Sequence, residues 1–90
     1  MPQRAVPIVN RLGMHARAAA KFVGLASQYT ADVTVARNEQ EVNGKSIMGV
    51  MMLAAAQGSE ITIRTDGAED AEAALDALTE LVADRFGEES

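Results

Sequence analysis

Hydrophobic and polar positions in this chain recur with two different periods, and the switches between them mark out its elements. In residues 3–9, QRAVPIV, Val6 and Ile8 are set apart from their neighbours as in a strand. Pro7 has no N–H to give to a ladder, so that strand belongs at a sheet edge. From Ala16 to Gln28 the spacing changes: Ala19, Phe22, Val23 and Ala26 recur three and four apart, with Arg17, Lys21 and Gln28 on another side, which predicts a helix. Burying Phe22 contributes about 1.5–3 kcal/mol. Alternation returns in Asp32–Arg37, DVTVAR, and Asn38-Glu39 turns the chain into QEVN, residues 40–43. So short a turn makes the two strands antiparallel. Ser46 stands before IMGVMMLAAA, residues 47–56, and can cap a short helix there by accepting from a free backbone N–H, with Gly58 expected to end it. EITIRT, residues 60–65, is another alternating strand. Asp66-Gly67 then leads to a last helix with one apolar stripe of Ala71, Ala74, Leu75, Leu78, Leu81 and Val82. The order β-α-β-β-α-β-α predicts an α+β fold of two layers, with three helices covering one face of a four-stranded antiparallel sheet.

Composition narrows the setting. Ninety residues make one domain, 1–90, with one modest core, and Gly87–Ser90 read as a frayed acidic tail. Only Tyr29, Phe22 and Phe86 are aromatic, so the core must rest on aliphatic side chains and alanine. With no cysteine, disulfides and thiolate metal sites are excluded, which suits a reducing cytoplasm. The stretch MPQRAVPIVN lacks the apolar core of a signal peptide, and no apolar run approaches the roughly 18 residues of a membrane span. The expectation is a cytoplasmic protein without a membrane partner. The net charge of −5 argues against sequence-independent nucleic-acid binding, which needs a broad basic surface. The charge is uneven, however: Arg4, Arg11, Arg17 and Lys21 all precede the first acid, Asp32, while ten acids from Glu60 onward face only Arg64 and Arg85. A local basic patch on an acidic protein follows.

The one histidine, His15, lies in RLGMHARAAAKF, residues 11–22, at or beside the N-cap of the first helix. A lone histidine is most often an unremarkable surface residue, but this position adds chemistry. The free N–H groups of Ala16, Arg17 and Ala18 point to whatever lies in front of the helix, and that positive end suits an anion. The Arg17 guanidinium matches phosphate oxygens, and the imidazole offers a ring nitrogen as nucleophile near neutral pH. Without a second histidine or any cysteine a metal site is a poor fit. A Ser-His-Asp hydrolase would need a nucleophile elbow and an enclosed pocket that this chain lacks. Gly44-Lys45-Ser46 is not a P-loop, because Glu39 occupies the position of its first glycine and the next helix is too short. Phosphoryl transfer to the imidazole itself remains, since a phosphohistidine keeps a labile P–N bond and can pass the group on. Two other readings stay open: a non-catalytic regulatory module that uses His15 only as a contact, and a small phosphatase.

Gly13-Met14-His15-Ala16-Arg17-Ala18, followed thirty residues later by Asn43-Gly44-Lys45-Ser46-Ile47-Met48-Gly49-Val50, resembles HPr, the histidine-containing phosphocarrier of the bacterial phosphoenolpyruvate-dependent phosphotransferase system. The resemblance covers nearly the whole chain and implies an open-faced β-sandwich. It also implies that His15 takes phosphate from phosphorylated Enzyme I and gives it to an EIIA-type protein, with Arg17 on the phosphate. The carrier would be no enzyme in its own right, would need no cofactor, and is expected to be monomeric. Ser46 matches the site at which an ATP-dependent HPr kinase/phosphorylase acts in many bacteria. Many members have proline where this chain has Ala18, which leaves one more N–H here. The ARAAAKF form is closer to Gram-negative regulatory branches, including the nitrogen-related one, than to those devoted to sugar import. Finally, so short a second helix cannot bury all its large apolar residues. Ile47, Met48 and Met51 are expected to form a partner-docking patch beside the exposed Arg17, Ala20, Lys21 and Gly24.

Overall fold

Alternation along the strands decides which face of the sheet becomes the core. In the computed structural model, which describes residues 2–90, Val6, Val33, Val35, Ile61 and Ile63 are all buried on one side of a single sheet. Its strands are β1 (Gln3–Pro7), β2 (Asp32–Arg37), β3 (Gln40–Asn43) and β4 (Glu60–Asp66), in the spatial order β1-β4-β2-β3 and antiparallel throughout. Val6 pairs with Ile61, and Val35 with Ile63, so the apolar residues fall in register across the centre. β1 is an edge strand, as Pro7 requires.

The helices α1 (Ala16–Ala26), α2 (Ile47–Met52) and α3 (Ala71–Ala83) complete the order β-α-β-β-α-β-α and cover the buried face. Ala18, Ala19 and Ala26 of α1 are fully buried, and their small side chains let the helix approach closely enough for Phe22 to reach the centre of the core. The stripe of α3 is buried as its spacing implies, with Leu81 at its margin. This is the two-layer α+β sandwich that the chain's periodicities predict, in the open-faced form that the resemblance implies. Among the described residues no helix is long and apolar enough to cross a membrane.

Several boundaries differ from the expected ones, β4 running one residue further, to Asp66. The sheet pairing of the first strand stops at Pro7, although Ile8 stays buried and exchanges backbone bonds with Gly58 and Ser59. α1 ends at Ala26 because the bonds of Gln28 and Tyr29 tighten onto Leu25 and Ala26. α2 stops at Met52 instead of running to Gly58: the carbonyl of Leu53 is taken by the Arg37 guanidinium at 3.2 Å, Ala54 turns left-handed (φ 50°), and the carbonyl of Ala55 accepts from Met14 N–H at 2.8 Å. The acidic tail expected to fray is exposed at Gly87, Glu89 and Ser90, yet hydrogen bonds tie it to the rest of the fold. Arg85 and Phe86 adopt left-handed backbone (φ 57° and 54°), forming a single turn, Arg85–Gly87, that drives Phe86 into the core at 1% exposure. Beyond it Ser90 accepts a bond from Arg11 N–H at 3.0 Å, so the tail lies over the start of α1.

Candidate functional site

Backbone clamps on both sides place His15. Gly13 has φ 65°, and a Cβ there would meet the Ala55 carbonyl oxygen at 2.6 Å, so only glycine allows the loop to lie against residues 55–56. Met14 is buried and bonded to Ala55, and the His15 carbonyl accepts from Ala19 N–H at 2.8 Å as α1 begins. His15 is thus the N-cap residue, in extended conformation, and its ring makes no capping bond. Helix geometry leaves the N–H groups of Ala16, Arg17 and Ala18 without helical acceptors. Ala16 and Arg17 are exposed, whereas the Ala18 side chain is in the core.

The ring of His15 is half-buried and its Nε2 is bonded to Oε2 of Glu88 from the tail. The other carboxylate oxygen of Glu88 accepts from Nδ2 of Asn10 at 3.0 Å, and the same Nδ2 donates to the Gly13 carbonyl at 2.8 Å. The bond from His15, and after it the bond from Asn10, hold the Glu88 carboxyl below its usual range against the opposing effect of burial. With Nε2 engaged, Nδ1 is the ring nitrogen left free. A pocket of about 370 Å³ opens beside the ring, lined by Arg11, Leu12, His15, Arg17, Glu88, Glu89 and Ser90.

The structure therefore brings His15 and Arg17 to one pocket together with Arg11 of the basic patch, and adds Glu88 in the pocket and Asn10 behind it, which sequence reasoning did not single out. Asn10 sits in an unpatterned loop, and Glu88 reaches the site only through the left-handed turn before it. Lys21, on the exposed side of α1, donates to the Phe86 carbonyl at 2.7 Å and so holds the tail. Ala20 and Gly24 are exposed, and a side chain at Gly24 would meet nothing.

Ser46 lies outside this pocket, at the N-cap of α2, where its Oγ accepts from Gly49 N–H at 3.1 Å. α2 packs against α1 and buries Val50, leaving Ile47, Met48 and Met51 exposed. Met52 (65% exposed) and Leu12 (68%) are also exposed, and neither was expected as part of an apolar surface. The signal for Leu12 was a large apolar residue between Arg11 and Gly13 in a loop. Among the described residues no three His, Cys, Asp or Glu side chains are placed to hold a metal ion.

Comparison with known proteins agrees with this geometry. The family model of the phosphorylation site of the phosphotransferase-system HPr component matches residues 2–84. The phosphocarrier protein HPr of Neisseria meningitidis serogroup A is 53% identical over 88 residues, 98% of each chain. A solved HPr from Thermoanaerobacter tengcongensis aligns over 100% of both chains with a TM-score of 0.95 at 40% identity. An HPr dimer from the same organism aligns at 0.77 and 40% identity, over 98% of this chain and 100% of that one. With the same fold over its full length and a family match that spans His15 and Ser46, this chain belongs to the HPr family of phosphocarrier proteins of the bacterial phosphotransferase system.

Proposed function

We propose that this chain carries a phosphoryl group on His15, accepting it from phosphorylated Enzyme I and yielding it to an EIIA-type protein. The observation that carries the reading is the placement of a half-buried imidazole, with one ring nitrogen free, at the start of α1 on a pocket shared with the Arg17 side chain. A lone pair of the ring attacks phosphorus as the bond to the donor breaks. The Arg17 guanidinium and the unpaired N–H groups at the head of α1 offset the charge on the phosphoryl oxygens. Exposed Ile47, Met48 and Met51, beside Arg17, Ala20, Lys21 and Gly24, supply the docking surface, whose methionines can adapt to two different partners. Ser46, at the edge of that surface, is the regulatory site of an HPr kinase/phosphorylase.

Incubation with phosphoenolpyruvate and Enzyme I should add one phosphoryl group, acid-labile and base-stable, as measured by mass spectrometry. His15→Ala should take none, and labelling that survives the substitution would remove His15 from the mechanism. Arg17→Ala should fold normally, because the side chain is exposed, but should slow single-turnover transfer by roughly tenfold to a thousandfold. An unchanged rate would exclude Arg17 from a role at the phosphate.

A further inference from the structure

The polar contacts behind His15 form a chain whose direction is set by the one group that has no choice. The backbone carbonyl of Gly13 can only accept, so Nδ2 of the fully buried Asn10, 2.8 Å away, is its donor. The same nitrogen donates to Oε1 of Glu88 at 3.0 Å. The opposite flip of the amide would set its oxygen against two acceptors. The structure accepts a cost for this orientation, since Asn10 Oδ1 is buried without a partner. Oε2 of Glu88 then meets Nε2 of His15, and a carboxylate offers only lone pairs, so the ring proton stands on Nε2. The ionised state of Glu88 is favoured by those same two bonds. The tail that delivers Glu88 is itself held, by Lys21 on the Phe86 carbonyl, by Arg85 Nε on the Glu88 carbonyl and by Arg11 N–H on Ser90.

We propose that Glu88 is a positioning residue for phosphoryl transfer: oriented by Asn10 and Gly13, it fixes His15 as the Nε2–H tautomer and balances the positive charge the ring acquires. This rests on the carrier reading above. In the step, His15 enters as neutral imidazole with its lone pair on Nδ1. That pair forms the new N–P bond while the bond from phosphorus to its donor atom breaks, the electrons leaving with the donor. No proton moves, so the phosphorylated ring keeps Nε2–H and carries a formal positive charge opposite the Glu88 carboxylate. On transfer outward the ring takes the electron pair back and is neutral again. A carboxylate that holds a histidine tautomer and stabilises the charged ring acts in the same way in Ser-His-Asp hydrolases, where its amide replacement yields the wrong tautomer.

Two substitutions separate this role from simple charge loss. In Glu88→Gln the Asn10 donor claims the amide oxygen, so the amide nitrogen faces Nε2 and donates to it, moving the ring proton to Nδ1 and blocking attack. Glu88→Ala removes the carboxylate without imposing that tautomer. ¹⁵N NMR of the ring at alkaline pH should show Nε2–H in the wild type, Nδ1–H in Glu88→Gln and a mixture in Glu88→Ala. Single-turnover uptake from phosphorylated Enzyme I should be slowest in Glu88→Gln, at least about tenfold below wild type, with Glu88→Ala between them. A Glu88→Gln variant that is as fast as Glu88→Ala, or a wild type with its proton on Nδ1, overturns the proposal. If wild type takes no phosphoryl group, the carrier reading fails, and the tautomer spectra still decide whether Glu88 sets the proton.

Discussion

A methyl group added at residue 13 would lie 2.6 Å from the Ala55 carbonyl oxygen and 2.9 Å from the Ala56 Cα, on backbone already at φ 65°. Both atoms belong to main chain, so neither can swing aside as a side chain would. Gly13→Ala should therefore destabilise the protein by about 2 kcal/mol, lowering Tm by roughly 8–16 °C. Gly24 is the matched control: it lies within α1, and a Cβ there meets nothing within 4 Å. Gly24→Ala should gain about 0.5–1 kcal/mol from the reduced freedom of the unfolded chain. Thermal unfolding of the two variants tests the contrast, and shifts of the same sign would show that residue 13 is not the close approach described. The comparison reads stability alone, since residue 24 also stands in the proposed docking surface.

α2 combines a cap, an apolar surface and a proposed switch within a single short element. Ser46 closes its first turn through Gly49 N–H, and aspartate can cap as well as serine, so Ser46→Asp should leave the fold intact. The new charge would stand beside exposed Ile47 at the rim of the surface. Rim charges act chiefly on encounter, so Ser46→Asp should slow phosphorylation of His15 by Enzyme I more at low salt than at high salt. Measured against Enzyme I concentration at two ionic strengths, equal rates for variant and wild type would reduce Ser46 to a cap, and a defect persisting at saturation would place the damage at His15. The same element shows what was legible in the chain. Its start was, because Ser46 before an apolar run is a local signal, and so were β2, β3 and β4, where alternation and turn residues agree. Its end was not: the run stays apolar through Ala56, and what stops the helix is Arg37 and Met14 claiming the Leu53 and Ala55 carbonyls from elsewhere in the fold. His15 and Arg17 could be read as a site because both lie at one helix start. Asn10 and Glu88 could not, being 78 residues apart and joined only after Arg85 and Phe86 turn left-handed to bury an aromatic ring.

Across the whole molecule, two carboxylates tie distant segments together and set its response to acid. Asp70, before α3, accepts from Thr30 N–H at 2.7 Å and Ala31 N–H at 2.9 Å, and Glu88 joins the tail to His15 and Asn10. The bond from Thr30 is the main cause holding Asp70 below the usual carboxylate range, opposed by burial and aided by Ala31 and the charge of Lys45. Glu88 is lowered chiefly by His15. A carboxyl lowered in the folded state binds its proton more readily when unfolded. Its contribution is therefore complete above the ordinary carboxylate range and is lost as pH falls through the lowered value. Asp70→Asn should be less stable than wild type at neutral pH and should lose less stability on acidification; urea midpoints that fall in parallel for both proteins would contradict this. Sheet order acts on a different process, the emergence of the chain from the ribosome. β4 is the sixth element to be made, yet it is the only strand paired with β1 and the one that joins β1 to the β2–β3 hairpin. Until residue 60 and those after it have cleared the exit tunnel, the hairpin can close but α1 has no complete surface on which to lay Phe22. Synthesis interrupted before that point leaves no smaller version of the carrier, only exposed apolar chain for chaperones and proteases to find.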